Sequence, residues 1–177
     1  MDISSSPNVP SLSYPKPKLY ILIYNIQSRH NILTLIHSAI SFGCKDVLVL
    51  GKDKKVMSKY LDKEKPSIKS YINYKYFETI SELTAYIKAK QIYVCGVEIG
   101  ETSVPIQNMV FKGDTLFILG NEGAGMNSKQ KEMCDDFVYI QQYTKKTGSL
   151  NVAIAASIIF HHFSMWAGYW IVCDIFF

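Results

Sequence analysis

The most informative segment of this chain is Thr115-Leu-Phe-Ile-Leu-Gly-Asn-Glu-Gly-Ala-Gly-Met126. Residues 115–119 form a continuous apolar run with a β-branched start, which predicts one strand buried on both faces. Three glycines follow within six positions: Gly120, Gly123 and Gly125. Ser128 is then placed to cap a helix that begins near Lys129. This arrangement brings the backbone close to a ligand, because glycine lacks the Cβ that would hold the ligand away.

The glycine spacing leaves two interpretations of this loop open. A Rossmann-type dinucleotide loop has the pattern G-x-G-x-x-G, whereas this loop has G-x-x-G-x-G, and no clear strand-end acid follows about twenty residues later. An ordinary tight turn between a strand and a helix uses the same residue types. The glycines alone therefore do not identify a ligand.

The composition is that of one folded domain. The chain has 177 residues, of which 48% are hydrophobic and 19% charged. These values suit a single α/β domain with a substantial core and exclude a disordered tail protein. The formal net charge of +4 is mildly basic, which is compatible with a polyanionic partner.

The cysteines and histidines do not suggest a metal site. The four cysteines, Cys44, Cys95, Cys134 and Cys173, lie far apart in sequence and form no C-x-x-C pattern. Adjacent histidines on a helix, such as His161 and His162, point in different directions. We therefore expect no disulfide framework and no bound metal, and a reducing compartment is the simplest environment.

The chain divides into three parts by composition. Residues 1–17 are rich in Pro and Ser and predict a flexible arm, without the basic start and apolar segment of a signal peptide. Residues 18–169 are expected to form the domain. Residues 170–177 form an apolar tail that is too short to cross a bilayer, so no membrane partner is expected.

Strand and helix patterns alternate along the domain. Strands are predicted at 19–24, 46–50, 71–77, 92–97, 115–119 and 137–140. Helices are predicted at 31–42, from residue 81 to before residue 91, and at 149–167. Asn31 and Ser149 are the expected caps of the first and last helices, and Gly43 is expected to close the first. Alternation of this kind predicts a mostly parallel sheet with helices on both faces.

A lysine-rich stretch lies at 51–70, with Tyr60 among the lysines. A solvated helix and loop would have this composition, and the scattered acids there dilute the positive charge. A surface that contacts phosphates, with Tyr60 stacked on a base, would also have it. Both interpretations stay open.

Three stretches together resemble one enzyme family. L-G-N-E-G-x-G at 119–125 and S-L-N-V-A-x-A-A-S at 149–157 resemble motifs two and three of the SpoU (TrmH-like) RNA ribose 2′-O-methyltransferases, in the SPOUT class. The segment RHNILTLIHSAISFG at 29–43 is similar to motif one of that family. The order and spacing of all three blocks agree, and the resemblance covers about residues 18–169.

The resemblance implies a fold and an activity. It implies a C-terminal trefoil knot, formed by about residues 92–169, that holds S-adenosyl-L-methionine. It also implies a homodimer through the first and last helices, and methyl transfer to a ribose 2′-hydroxyl of tRNA or rRNA without a metal. The cytoplasm is the expected location, with the nucleus and organelles as alternatives.

The resemblance also assigns roles to individual residues. The expected cofactor-binding residues are Gly96, Leu119, Gly120, Asn121, Ile140 and Leu150. The expected catalytic residues are Arg29, Asn31, His37, Glu122, Ser149 and Asn151. Some of these residues also have structural interpretations, since Glu122 would suit the dipole of a first helical turn and a Ser-x-Asn pair would suit a helix cap.

Motif one departs from the family at its catalytic position. The family carries an arginine six residues after the motif asparagine, assigned to deprotonating the ribose 2′-hydroxyl, and counting from Asn31 this position holds His37. An imidazole is a better general base near neutral pH than a guanidinium, but it lacks the forked donors that grip a phosphate. Either His37 is the base, or Arg29 takes that role, or the chain is an inactive RNA-binding protein of the same fold. Beside the active methyltransferase and the inactive RNA-binding protein, a third hypothesis is a nucleotide-binding α/β protein unrelated to methylation.

Overall fold

The computed structural model describes residues 15–51, 71–144, 146 and 148–169. The strands of this part are β1 Leu19–Ile23, β2 Asp46–Leu50, β3 Asn73–Phe77, β4 Tyr93–Val97, β5 Val104–Pro105, β6 Thr115–Leu119 and β7 Asp136–Tyr139. The helices are α1 Arg29–Ser41, α2 Ile80–Lys90, α3 Ser128–Glu132 and α4 Val152–Trp166, with a short 3₁₀ turn at Ile106–Asn108.

The seven strands form one sheet in the order β3-β2-β1-β6-β4-β7-β5, and every neighbouring pair is parallel. The prediction of a mostly parallel sheet is thereby confirmed. All positions of β1, β2 and β6 are buried, as expected of central strands in a parallel sheet. The predicted third strand lies at an edge of the sheet.

Helices cover both faces of the sheet, which was also predicted. On one face, Ile21 of β1 packs in a core that includes the inward residues of α1 and α4. On the other face, Leu22 of β1 packs in a core that includes Leu83 and Ile87 of α2. Because side chains of a strand alternate between faces, one buried strand contributes to both cores.

The predicted helix caps were wrong at three places. Ser28 caps α1 in place of Asn31, Asn127 caps α3 in place of Ser128, and Asn151 caps α4 in place of Ser149. In each case a residue of a capping type one to three positions away took the role, because its side-chain oxygen accepts from a backbone amide of the first turn.

Two further local features concern Gly43 and Pro105. Gly43 follows α1 with φ +73°, as predicted for the residue after the helix, and a Cβ there would lie 3.0 Å from the Tyr169 ring. Pro105 lies in β5 at the sheet edge, where its missing amide donor is tolerated.

Several predictions concern residues outside the described ranges. The residues outside those ranges include most of the N-terminal arm, nearly all of the lysine-rich stretch, Lys145 and the apolar tail. The trefoil knot and the three-part division of the chain also stay predictions. Among the described residues, no helix has both the length and the apolar character needed to cross a membrane.

Candidate functional site

A cavity of about 510 Å³ opens at the carboxyl edge of the sheet, beyond the ends of β4, β6 and β7. Its walls are formed by residues 97–99, by the glycine-rich segment that follows β6, and by residues between the end of β7 and the start of α4. Asn31 of α1 also lines it. Cavities of this size suit a small organic ligand, and this edge is where α/β sheets usually bind one.

The glycine loop, defined here as residues 120–126, is closed on itself by hydrogen bonds. The backbone amide of Asn121 donates to the carbonyl of Gly125 at 2.8 Å, and the amide of Gly125 donates back at 3.0 Å. The side-chain oxygen of Asn121 accepts from the amides of Gly123 and Ala124 at 2.9 and 3.0 Å. Asn121 therefore organises the loop from within.

Gly120 is required by this closed shape. A Cβ at Gly120 would lie 2.8 Å from the carbonyl carbon of Gly125 and 2.9 Å from the amide nitrogen of Met126. Gly125 itself has φ +69°, which favours glycine. At Gly123, by contrast, a Cβ would approach nothing closer than 3.7 Å. Tight packing of the loop on itself thus fixes Gly120 and Gly125.

The amide groups of the loop are almost all used inside the protein. Besides the bonds above, the amide of Met126 donates to Oε2 of Glu98 at 2.9 Å, and the amide of Asn127 donates to Oε1 of Gln130 at 3.1 Å. A phosphate-binding loop presents free amides to its ligand. Since the amides of residues 121 and 123–127 already have protein acceptors, this loop is not built as a phosphate cradle.

Glu98 lines the cavity but belongs to none of the three sequence motifs. It is the first residue beyond β4, and its Oε1 also forms an ion pair with Nζ of Lys131 at 2.7 Å. Its position directly after a buried strand was an available signal, because ligand-contacting residues gather at carboxyl ends of parallel strands. Gln130, which is fully buried and donates to the carbonyl of Leu119 at 2.9 Å, also belongs to none of the motifs.

Glu122 binds the start of α1. Its carboxylate accepts hydrogen bonds from the amides of Gln27 and Ser28 at 3.1 and 3.0 Å and from Nδ2 of Asn31 at 2.9 Å. Burial acts to raise the pKa of Glu122, but these hydrogen bonds outweigh it and leave the pKa below its ordinary value. The helix whose dipole Glu122 complements is therefore α1, whereas the helix that follows the glycine loop begins only at Ser128.

Asn31 connects Glu122 to the last helix. Its Oδ1 accepts from Nδ2 of Asn151 at 3.0 Å, while Oδ1 of Asn151 caps α4 through the amides of Ala153 and Ile154. One row of side-chain bonds thus joins the glycine loop, α1 and α4. The three stretches singled out in the sequence meet at this point.

The same three stretches lie within the matched region of a known family. A sequence model of the SpoU rRNA Methylase family matches residues 18–161. The chain belongs to this family.

Relatives of this SpoU chain include named RNA-modifying enzymes. The 23S rRNA (guanosine-2'-O-)-methyltransferase RlmB of Coxiella burnetii is 26% identical over 143 residues, which are 80% of this chain and 56% of the relative. The chain spans about half the length of the curated relatives it matches.

Solved SpoU structures share the fold. The SpoU methyltransferase AviRb from Streptomyces viridochromogenes, crystallised in complex with the cofactor AdoMet, has a TM-score of 0.68 at 22% identity and covers 88% of this chain and 60% of its own. An rRNA methyltransferase from Sinorhizobium meliloti has a TM-score of 0.73 at 19% identity. The match covers 86% of this chain and 57% of the Sinorhizobium chain.

Most residues expected to form the site of this SpoU chain line the cavity. Those residues are Asn31, Leu119, Gly120, Asn121, Glu122, Ile140, Ser149, Leu150 and Asn151. The hydroxyl of Ser149 is exposed and makes no hydrogen bond within the described residues, so it is available to a ligand. The lining also includes residues that no motif indicated, among them Val97, Ile99 and Tyr139.

Three of the expected residues do not line the cavity. Gly96 lies against the Phe137 ring, and a Cβ there would be 2.6 Å from that ring. His37 and Arg29 are exposed on α1 and are absent from the described lining. The imidazole of His37 makes no hydrogen bond or ion pair with any described residue. The described residues also contain no group of three or more His, Cys, Asp or Glu side chains placed to hold a metal.

Proposed function

We propose that this chain transfers the methyl group of S-adenosyl-L-methionine to a ribose 2′-hydroxyl of tRNA or rRNA. The RlmB relative from Coxiella burnetii is named as a 23S rRNA (guanosine-2'-O-)-methyltransferase, and the similar structure of AviRb was crystallised with the cofactor AdoMet. The cytoplasm is the proposed location, with the nucleus and organelles as alternatives.

The chemical character of the cavity is the observation that carries the proposal. Its described lining contains two carboxylates, Glu98 and Glu122, and no Lys, Arg or His side chain. The loop amides that would face a pyrophosphate are already bonded to protein acceptors. Both features disfavour a dinucleotide. They favour a cofactor without phosphates that carries positive charge, as the sulfonium and ammonium groups of S-adenosyl-L-methionine do.

We assign the cofactor to the walls formed by Leu119, Gly120, Asn121, Ile140 and Leu150, which line the cavity together. Gly96 is not in the described cavity wall, and we assign it a supporting role. Its missing side chain lets Phe137 pack close to β4. When bound, S-adenosyl-L-methionine supplies a methyl group activated by a positively charged sulfur. The protein then has to align a ribose oxygen with that methyl and accept the hydroxyl proton.

The structure favours a positioning role for Glu122 over the role of base. Three hydrogen-bond donors occupy its carboxylate and the pKa is lowered, so it accepts a proton poorly. Ser149 offers a free hydroxyl at the cavity wall and is assigned to contact the ribose. Asn31 and Asn151 hold this arrangement through their mutual bond. The base remains His37 or Arg29.

A second candidate function is RNA binding without catalysis. The observation that favours it is the position of His37, which replaces the motif arginine and lies exposed outside the described cavity lining. In that case the cavity would retain the cofactor, but no group would remove the ribose proton.

A methyl-transfer assay on total RNA separates the two functions. We expect His37→Ala to lower the rate by roughly 100- to 10,000-fold while cofactor affinity is kept, and His37→Arg to retain substantial activity. His30→Ala, an exposed histidine on the same helix, is the matched control and should have little effect. A severe loss in Arg29→Ala with a mild effect of His37→Ala would assign the base to Arg29. Absence of transfer by the unaltered chain on every RNA would favour the binding protein.

A homodimer through α1 and α4 is part of the same proposal. The outer side of α4 exposes large apolar side chains: Ile154, Ile158, Met165 and Trp166. The two helices lie side by side, with the hydroxyls of Ser38 and Ser157 2.7 Å apart. Exposed apolar side chains gathered on one helix favour contact with another protein surface. A second copy of this chain is the partner we propose.

A further inference from the structure

We propose that Glu98 is a specificity-determining residue that makes the cavity favour the cationic cofactor over its neutral product. The inference rests on the proposed function. S-adenosyl-L-methionine carries a positive sulfur, whereas S-adenosylhomocysteine, which remains after methyl transfer, has an uncharged thioether. A carboxylate in the cavity wall distinguishes the two by charge alone.

The position of Glu98 is fixed by three contacts. Its backbone amide donates to the carbonyl of Val138 at 3.0 Å, which extends the pairing of β4 with β7. Its Oε2 accepts from the amide of Met126 at 2.9 Å, and its Oε1 pairs with Lys131 at 2.7 Å. The carboxylate is therefore held between the end of β4 and the end of the glycine loop, at the cavity wall.

The surrounding charges leave the cavity acidic. Glu122 is the other carboxylate in the described lining, and its lowered pKa keeps it ionised near neutral pH. Lys131 is paired with Glu98 but is not part of the described lining. Lys131 thus partly offsets the negative charge of Glu98 from outside the cavity wall. The ion pair therefore determines how strongly the electrostatic field of Glu98 acts on a bound ligand.

The expected change in affinity depends on how far the ligand charge lies from the cavity wall and on how exposed Glu98 is to solvent. A volume of about 510 Å³ places any ligand charge within roughly one Debye length, about 8 Å, of the wall. The side chain of Glu98 is 26% exposed, so solvent weakens the interaction. Partly exposed charge pairs of this kind change affinity by roughly two- to fivefold.

A purely structural role of Glu98 predicts a different result. If Glu98 served only to hold the amide of Met126, its loss would weaken both ligands equally. Glu98→Gln keeps an oxygen that can accept from Met126 but removes the charge. Lys131→Met leaves the Glu98 carboxylate in place but unpaired, so its effect on charge selectivity should have the opposite sign.

Calorimetric titration of the full chain with each ligand tests the inference. We expect the unaltered chain to bind S-adenosyl-L-methionine more tightly than S-adenosylhomocysteine. The affinity ratio should fall by roughly two- to fivefold in Glu98→Gln and rise in Lys131→Met. A cofactor analogue with an ammonium group in place of the S-methyl should follow S-adenosyl-L-methionine. Lys88→Met, which removes an exposed lysine of α2 outside the described lining, is the control and should leave the ratio unchanged.

The possible failures are distinguishable. If both ligands bind but the ratio is the same in all variants, the charge role of Glu98 is wrong and the proposed function stands. If Glu98→Gln and Lys131→Met weaken both ligands equally, the role is structural only. If neither ligand binds the unaltered chain, the proposed function fails and the inference fails with it.

Discussion

Nδ2 of Asn31 donates a hydrogen bond to Oε1 of Glu122 at 2.9 Å, although the two residues are 91 positions apart in the chain. Asn31 also accepts from Asn151, which caps the last helix. The glycine loop, α1 and α4 are therefore held in one arrangement by a row of three side chains. The cavity lies against this row, so its shape depends on these bonds.

Glu122→Ala should destabilise the fold. The substitution leaves the amides of Gln27 and Ser28 and the side chain of Asn31 without their acceptor, which we expect to cost about 1–3 kcal/mol in the free energy of unfolding. Chemical denaturation measures this, with the denaturant slope unchanged. The control Glu101→Ala removes an exposed carboxylate with no partner among the described residues. Equal stability of the two variants would contradict the structural role of Glu122.

The contribution of Glu122 to stability should depend on pH in a defined direction. Its pKa in the folded chain lies below the ordinary value of 4.5, so the unfolded chain takes up the proton first as pH falls. The stabilisation is therefore present above about pH 5 and is lost as pH falls through the folded pKa. The difference in unfolding free energy between the unaltered chain and Glu122→Ala should shrink on acidification. A difference that stays constant down to about pH 3 would refute this.

Gly120→Ala should damage the glycine loop, whereas Gly123→Ala should not. The added methyl at Gly120 would lie 2.8 Å from backbone of Gly125, while at Gly123 the nearest atom is 3.7 Å away. We expect Gly120→Ala to lower the melting temperature and to weaken S-adenosyl-L-methionine binding at least tenfold, roughly 1.4 kcal/mol. Thermal melting and calorimetry check both values. Similar behaviour of the two variants would show that the loop tolerates the Cβ and that the packing argument is wrong.

The homodimer should depend on the apolar side of α4. Ile158→Lys places a charge among exposed apolar side chains, so we expect a monomer of about 20 kDa in sedimentation at micromolar concentration, against a dimer for the unaltered chain. Ala85→Lys is the control, because Ala85 is exposed on α2, which packs on the opposite face of the sheet from α4. A monomeric unaltered chain, or an unaffected dimer in Ile158→Lys, would exclude this interface.

The sheet was predictable because its central strands are short apolar runs. In β1, β2 and β6 every position is buried, and such runs separated by helix patterns have few other solutions. The two-residue strand β5 was not predictable, since it has no periodicity and exists only through its pairing with β7. The caps at Ser28, Asn127 and Asn151 differ from prediction because local sequence offers two capping residues and the backbone selects one.

The candidate site was predicted only where a motif was present. Glycine spacing indicated a close backbone approach at Gly120, but the structure shows that the approaching group is the chain's own backbone at Gly125. Glu98 belongs to no motif, and its partners Met126 and Lys131 lie far along the chain. Long-range hydrogen bonds of this kind have no signature in local pattern.

We propose that the cavity holds S-adenosyl-L-methionine and not a dinucleotide. Calorimetric titration of the purified chain with S-adenosyl-L-methionine and, separately, with NAD tests it most directly. We predict saturable binding of one S-adenosyl-L-methionine per chain, lost or strongly weakened in Gly120→Ala, and no binding of NAD. Binding of NAD in competition with S-adenosyl-L-methionine, or no binding of S-adenosyl-L-methionine at all, would show that this assignment of the cavity is wrong.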